Sequence, residues 1–205
     1  SVTVFEGVPT MYQAMLAAAA KAPEVKLASL RTCISGGSAM PVEVLRKFEE
    51  RFDATILEGY GLSETSPVAS FNHPNAQRKP GSIGTPIEGV EMKVADLDGN
   101  PLPVGEVGEV AVRGHNIMKG YWNKPEETAK AIRDGWFYTG DLARQDEDGF
   151  YFIVDRSKDM IIRGGYNVYP REVEEALYEH PEIAEVAVVG VPDENYGEEV
   201  AAFVV

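Results

Sequence analysis

Hydrophobic and polar positions alternate between two periodicities in the first third of the chain. Short apolar runs at residues 2–5, 30–34 and 54–57 are bounded by turn residues and predict buried strands. Between these runs, apolar residues recur at helical spacing, which predicts one helix ending near Lys21 and a second ending near Phe52. Strands that alternate with helices indicate a parallel sheet, whose ligands bind at the carboxyl ends of its strands.

From about residue 79 the pattern changes to short strands and tight turns. Strand character is found at residues 81–84, 91–94, 105–113 and 150–154, and turns are predicted at Asp98-Gly99, Asp134-Gly135 and Asp148-Gly149. The pattern predicts a small barrel or sandwich. The acidic stretches at residues 96–99 and 146–149 lack the glycine and the glutamate of a calcium loop, so both are predicted to be turns.

The last segment begins with a charged stretch, residues 155–159, which is typical of an exposed connector between two units. A strand is predicted at residues 160–163 and another at 183–189. Between them Pro170 opens a predicted helix, with Val173, Ala176 and Leu177 on its inner face.

These elements together predict an α/β fold class with two domains. Parallel strand–helix units (residues 1–78) precede a small β-barrel-like part (79–156), and both belong to one large domain (1–156). The start of a small α+β domain follows (157–205). The chain opens inside a strand-like run and closes on an apolar run, which leads us to expect a piece of a longer protein.

Composition excludes some classes of partner. The 205 residues carry a net charge of −14 with no lysine–arginine block, which disfavours nucleic acid or an anionic membrane. The single cysteine, Cys33, lies in an apolar run and is predicted to serve packing in a reducing compartment. Neither a signal peptide nor a membrane-spanning run is evident, so we expect a cytoplasmic protein that is not integral to a membrane. The three histidines are scattered and predict no metal cluster.

Candidate chemistry is concentrated in residues 58–67. Two glycines flank Tyr60, whose ring could stack on a base, and Ser63 and Glu64 offer a hydroxyl and a carboxylate for a phosphate and a hard cation. The stretch therefore predicts a nucleotide site, although a strand-to-helix turn with Ser63 as N-cap would use the same residues. A glycine-containing loop at residues 35–38 follows the neighbouring strand and is predicted to lie beside it.

Seven motifs in this order resemble the acyl-CoA synthetase family of the adenylate-forming superfamily. They lie at residues 5–10, 35–37, 58–67, 81–86, 113–122, 136–142 and 155–170. The resemblance implies an incomplete adenylate-forming fold. It also implies a reaction in which a carboxylic acid attacks ATP to give acyl-AMP, and the acyl group is then transferred to coenzyme A. The motifs are most similar to those of family members that act on fatty acids.

The resemblance also implies a role for each matching residue. An adenine slot would be formed by Gly36, Gly37, Glu58, Gly59 and Tyr60, with Tyr60 stacking on the base, and Gly61 would also bind the nucleotide. Ser63 would contact the α-phosphate and Glu64 would hold Mg²⁺. Asp141 would accept hydrogen bonds from the ribose with help from Arg156, and Ile153 would pack on the nucleoside. Lys158 would be the hinge of the small domain, and Gly164 and Gly165 would line the pantetheine tunnel.

Two family features have no counterpart in this sequence. The Ser/Thr-Gly-Lys loop that cradles the outer phosphates is absent, and no lysine follows Lys158 to act as the terminal catalytic lysine. We therefore expect the chain to be inactive on its own. Two alternatives stay open, an adenylation enzyme that loads a carrier protein and a non-catalytic nucleotide-binding fragment. Exposed sheet edges would also invite self-association.

Overall fold

The chain forms three β-sheets that follow one another along the sequence. The computed structural model describes residues 1–205. None of the helices combines the length and the apolar character that crossing a membrane requires.

The first sheet carries the predicted strand–helix units. Its elements are β1 (Val4–Gly7), α1 (Pro9–Lys21), β2 (Thr32–Ser35), α2 (Val42–Phe52), β3 (Thr55–Gly61), β4 (Val68–Phe71) and β5 (Thr85–Pro86). The strands lie in sequence order, with β1, β2 and β3 parallel and β4 and β5 added antiparallel. The prediction of parallel strands is confirmed, and the antiparallel extension was not predicted.

Helices α1 and α2 pack on each other through aromatic side chains. The rings of Tyr12 and Phe48 meet edge to face with centroids 4.9 Å apart. The buried Tyr12 hydroxyl donates a hydrogen bond to the Ile34 carbonyl at 2.6 Å, which ties α1 to β2. Cys33 is fully buried in the same core, as its apolar setting predicts.

The second sheet is antiparallel and curled. Its elements are β6 (Val90–Ala95), β7 (Gly108–Gly114), α3 (Pro125–Ala131), β8 (Ile132–Arg133), β9 (Trp136–Gln145) and β10 (Tyr151–Arg156). The strand order is β10-β9-β7-β6, and β8 pairs with β9. Register shifts interrupt the ladders at Ile153/Asp155 and at Glu109/Ala111. Such bulges bend strands and increase their twist, which explains the curl.

The acidic stretches of this part are turns, as predicted. Asp96 Oδ1 accepts the main-chain N–H groups of Asp98 and Asn100 at 2.9 and 2.8 Å. In the same way Asp146 Oδ1 accepts those of Asp148 and Phe150 at 3.0 and 2.9 Å. Each carboxylate therefore caps its own turn, which accounts for the aspartate at its first position.

The prediction of a strand at residues 81–84 is wrong. Gly84 has a φ of +79°, and a Cβ there would lie 2.1 Å from the Phe71 carbonyl carbon. The segment instead passes across β4, where the Ser70 hydroxyl donates to the Ile83 carbonyl at 2.8 Å. Its glycines serve this close backbone approach rather than a strand.

The third sheet is formed by the C-terminal segment. Its elements are β11 (Ile161–Arg163), β12 (Tyr166–Val168), α4 (Pro170–Tyr178), β13 (Val186–Asp193) and β14 (Gly197–Val204), with strand order β12-β11-β14-β13. The predicted helix at Pro170 is confirmed. Val173 and Leu177 are half-buried, but Ala176 is exposed, so its predicted inward position is wrong. Helix α4 packs on β13, where Glu174 Oε1 accepts the Val188 N–H at 2.8 Å.

Candidate functional site

A cleft of about 730 Å³ opens where the three sheets meet. It is lined by residues of the loop after β2, the end of β3, the segment after β10 and parts of α4 and β13. The predicted meeting of the loops at residues 35–38 and 58–67 is confirmed, since a Cβ on Gly36 would lie 3.5 Å from the Gly59 carbonyl oxygen. This is the carboxyl end of the parallel strands, where ligands of such sheets bind.

Nine of the predicted site residues line this cleft. They are Gly37, Glu58, Gly59, Tyr60, Gly61, Asp141, Ile153, Arg156 and Lys158. Five others do not line it, namely Gly36, Ser63, Glu64, Gly164 and Gly165. Residues from four separate stretches of sequence are therefore brought together, whereas Ser63, Glu64, Gly164 and Gly165 do not line the cleft.

Asp141 is the centre of the polar side of the cleft. Its Oδ2 accepts a hydrogen bond from the Tyr60 hydroxyl at 2.6 Å, and its Oδ1 lies 3.6 Å from Arg156 Nε. The side chain is only 13% exposed, whereas that of Arg156 is 60% exposed. Burial raises the pKa of Asp141, and the Tyr60 hydrogen bond and Arg156 oppose that rise. Oδ1 accepts no hydrogen bond from the protein and is available to a donor in the cleft.

A bulge in β9 positions Asp141. Gly140 has a φ of +77°, and the Thr139 hydroxyl accepts the Asp141 N–H at 3.1 Å. The same hydroxyl donates to the Val110 carbonyl of β7 at 3.0 Å. A non-glycine residue would be strained at position 140, so the glycine and the threonine together turn Asp141 toward β3.

Glu58 is buried at the base of the cleft with 7% of its surface exposed. Its Oε2 accepts the Gly81 N–H at 2.8 Å. Burial raises the pKa of Glu58 to about 7, and the Gly81 hydrogen bond, Arg171 and Arg78 limit the rise. No local signal predicts this burial, because Glu58 follows the apolar run without a nearby cation in the chain.

The two glycines beside Tyr60 are required by the protein itself. A Cβ on Gly61 would lie 1.7 Å from the Pro67 carbonyl oxygen, and one on Gly59 would lie 2.3 Å from the Phe71 ring. Strand β4 and the residue before it occupy the space that side chains would need. Packing against β4 therefore accounts for both glycines without a ligand.

Ser63 and Glu64 lie in a short 3-10 helix after β3. Its N-cap is Leu62, so the alternative with Ser63 as N-cap is wrong. Ser63 is exposed, and the half-buried Glu64 accepts a hydrogen bond from the Tyr121 hydroxyl at 2.9 Å. No group of three or more His, Cys, Asp or Glu side chains is placed to hold a metal ion. A lone carboxylate with one free oxygen fits Mg²⁺ that takes its other ligands from nucleotide phosphates and water.

The hinge and tunnel candidates lie on the C-terminal side. Lys158 is exposed in the predicted connector between β10 and β11 and lines the cleft. Gly164 and Gly165 form the exposed turn between β11 and β12, with φ of +57° and +85°. A left-handed conformation at two successive residues explains why both are glycines.

Sequence reasoning missed Arg171, which joins α4 to β10. Its main-chain N–H donates to Asp155 Oδ2 at 3.1 Å, and its Nη1 donates to the Ile153 carbonyl at 2.6 Å. The side chain is only 16% exposed. An arginine in the first turn of a helix opposes the helix dipole, and this conflict was the signal that could have identified it.

Comparison with known proteins gives consistent matches along the chain. Residues 1–122 match the family model of the AMP-binding enzyme, and residues 172–205 match that of the AMP-binding enzyme C-terminal domain. The long-chain-fatty-acid–CoA ligase of Bacillus subtilis (strain 168) is 51% identical over 207 residues, covering 99% of this chain and 36% of that protein. A feruloyl-CoA synthase of Amycolatopsis is 45% identical over 205 residues, covering 100% of this chain and 41% of that protein.

A solved structure also resembles this chain in fold. ATP-bound MatB from Rhodopseudomonas palustris matches with a TM-score of 0.92 and 38% identity, covering 99% of this chain and 40% of that one. The expected fold class is thereby confirmed. The chain spans less than half the length of these relatives.

Proposed function

The chain belongs to the AMP-binding enzyme family, and on this basis we propose that the protein containing it joins a carboxylic acid to coenzyme A at the expense of ATP. The observation that carries the proposal is the meeting of Tyr60, Asp141 and Arg156 at one cleft. An aromatic ring, a carboxylate with a free oxygen and a cation match the base, the ribose diol and the phosphate of a nucleotide.

The chain's own residues would bind and orient the nucleotide. Asp141 Oδ1 would accept a ribose hydroxyl, while the Tyr60 hydroxyl keeps the carboxylate in place. Ile153 would pack against the nucleoside from β10, and the backbone at Gly36 and Gly37 would border the adenine. Ser63 would donate to the α-phosphate. Bound to Glu64, Mg²⁺ would reduce the negative charge on the phosphates.

The reaction needs no covalent bond to the protein. An oxygen of the substrate carboxylate attacks the α-phosphorus, the bond to pyrophosphate breaks, and acyl-AMP forms. The thiol of coenzyme A then loses its proton to water, its sulfur bonds to the acyl carbonyl carbon, and AMP leaves with the electrons of the broken carbon–oxygen bond. The protein's contribution is orientation and electrostatic stabilisation of the transferring groups.

A fatty acid is the acid that we propose as substrate. The Bacillus subtilis relative named a long-chain-fatty-acid–CoA ligase shares half of its aligned residues with this chain. A hydroxycinnamic acid is the second candidate, because the feruloyl-CoA synthase matches the full chain at 45% identity. We place the protein in the cytoplasm as part of the same proposal.

The test uses the full-length protein with ATP, Mg²⁺, coenzyme A and a panel of fatty and hydroxycinnamic acids. AMP release together with acyl-CoA formation, measured by mass spectrometry, would support the proposal. Acid-dependent pyrophosphate release without acyl-CoA would favour loading of a carrier protein, and AMP binding without turnover would favour a non-catalytic protein. The 205-residue chain itself should give no acyl-CoA, since it contains neither the phosphate loop nor the terminal lysine.

Lys158→Pro in the full-length protein should impair thioester formation more than adenylation. The residue lies exposed in the connector, so the change should leave the cores intact. Proline fixes φ and so restricts the rotation that a hinge needs. We expect the ratio of the two half-reaction rates to change on the order of tenfold, which requires a barrier increase of about 1.4 kcal/mol.

Single-turnover assays of pyrophosphate release and of acyl-CoA formation from isolated acyl-AMP would measure the two steps separately. Lys158→Ala is the matched control, because it removes the charge and keeps the backbone free. Equal losses in both steps with Lys158→Pro would remove the hinge role from this residue.

A further inference from the structure

Glu64 is held by a segment that follows it by 57 residues. The Tyr121 hydroxyl donates a hydrogen bond to Glu64 Oε1 at 2.9 Å. The Met118 N–H donates to the Glu64 carbonyl oxygen at 2.8 Å. Both the side chain and the backbone of Glu64 are therefore attached to the loop that precedes α3.

Helix α3 fixes the position of Tyr121 in turn. The Thr128 hydroxyl accepts the Tyr121 N–H at 2.9 Å and donates to the Lys124 carbonyl at 2.9 Å. Thr128 also packs on the loop, since a Cβ on Gly120 would lie 2.7 Å from its methyl carbon. A side chain at position 120 would therefore collide with Thr128. The position of Tyr121 is set by its contact with helix α3.

Only one oxygen of Glu64 is used by the protein. Oε1 accepts the Tyr121 hydroxyl, and Oε2 accepts no hydrogen bond from any protein group. A glutamate side chain that is free to rotate loses rotamer entropy when it is ordered. A hydrogen bond to one oxygen orders the side chain in advance and leaves the other oxygen for a ligand.

We propose that Tyr121 is a positioning residue, which orders the Glu64 carboxylate so that Oε2 can ligate the metal of a metal–nucleotide complex. This inference rests on the proposed function, in which Glu64 holds Mg²⁺. Tyr121 does not itself touch the nucleotide. Its effect therefore requires both the metal and Glu64.

Tyr121→Phe in the full-length protein tests the inference by calorimetry without the carboxylic acid, so that no turnover occurs. Affinity for ATP is measured once with excess Mg²⁺ and once with a chelator. We expect the Mg²⁺-dependent affinity to fall about tenfold, in line with the loss of a hydrogen bond to a charged group. Affinity in the chelator should stay unchanged, which a general structural defect would not allow.

Tyr138→Phe is the matched control, because Tyr138 is half-buried and its hydroxyl donates to no protein atom. It should leave both affinities unchanged. Glu64→Gln and the double variant Glu64→Gln/Tyr121→Phe complete a double-mutant cycle. In the Glu64→Gln background, Tyr121→Phe should cause no further loss of Mg²⁺-dependent ATP affinity.

The outcomes separate the inference from the proposed function. If Glu64→Gln lowers the Mg²⁺-dependent affinity and Tyr121→Phe does not, the positioning role is overturned and the metal role of Glu64 stands. If Glu64→Gln has no effect, the metal role is wrong and the inference fails with it. If Tyr121→Phe lowers the affinity for ATP equally with Mg²⁺ and with the chelator, the inference is also overturned.

Discussion

Asp141→Ala is expected to weaken AMP binding by the full-length protein about 100-fold. A hydrogen bond to a charged group contributes about 1.5–3 kcal/mol, and loss of the one that Asp141 Oδ1 would accept from a ribose hydroxyl corresponds to a change in affinity of this size. The change also leaves the Tyr60 hydroxyl without its acceptor and removes the carboxylate nearest Arg156. Calorimetric titration with AMP measures the effect directly.

Asp98→Ala is the control for this experiment. It makes the same Asp-to-Ala change in an exposed turn of the second sheet, away from the cleft. Circular dichroism of both variants establishes that they are folded. Unchanged AMP affinity in a folded Asp141→Ala variant would contradict the ribose role of Asp141.

Glu58→Gln is expected to stabilise the folded protein at about pH 8 by about 3 kcal/mol. The pKa of Glu58 is raised from 4.5 to about 7, so the folded state holds its proton more tightly than the unfolded state does. The stabilisation from the bound proton is complete below about pH 4.5 and is lost as the pH rises through about 7. A shift of this size corresponds to about 3 kcal/mol, because each pKa unit is worth about 1.4 kcal/mol.

The uncharged amide avoids this loss and can still accept the Gly81 N–H. The difference in unfolding free energy between Glu58→Gln and the unmodified protein should therefore grow between about pH 5 and pH 7 and then level off. Chemical denaturation at a series of pH values measures it. Glu147→Gln, at an exposed position, controls for the loss of a surface charge. A pH-independent difference would contradict the buried position of Glu58.

The elements that were predicted correctly are those with a local signal. In α2, Val44, Leu45, Phe48 and Phe52 recur at helical spacing, and all four are buried in the first core. Their spacing follows from the geometry of a single helix, so no other part of the chain is needed to interpret it. The capped turns at Asp96 and Asp146 were predictable for the same reason, since each carboxylate binds its own turn.

The longest strand of the second sheet, β9, was missed because its sequence contradicts its structure locally. Gly140 and Asp141 interrupt a ten-residue strand and are typical of a turn. The strand persists because β7 and β10 pair with it on either side, and the interruption becomes a bulge. Pairing between strands far apart in sequence leaves no periodic signal in either strand alone.

The strand–helix order, the turns and the residues that carry candidate chemistry can all be identified from local sequence patterns. Which of these residues lie together depends on the folded arrangement of the three sheets. Tyr60 and Asp141 are 81 residues apart and share a hydrogen bond, and Glu64 meets Tyr121 across 57 residues. The pKa of Glu58 is likewise set by burial under residues distant in the chain. Contacts of this kind depend on how the sheets pack, and packing depends on the whole chain at once.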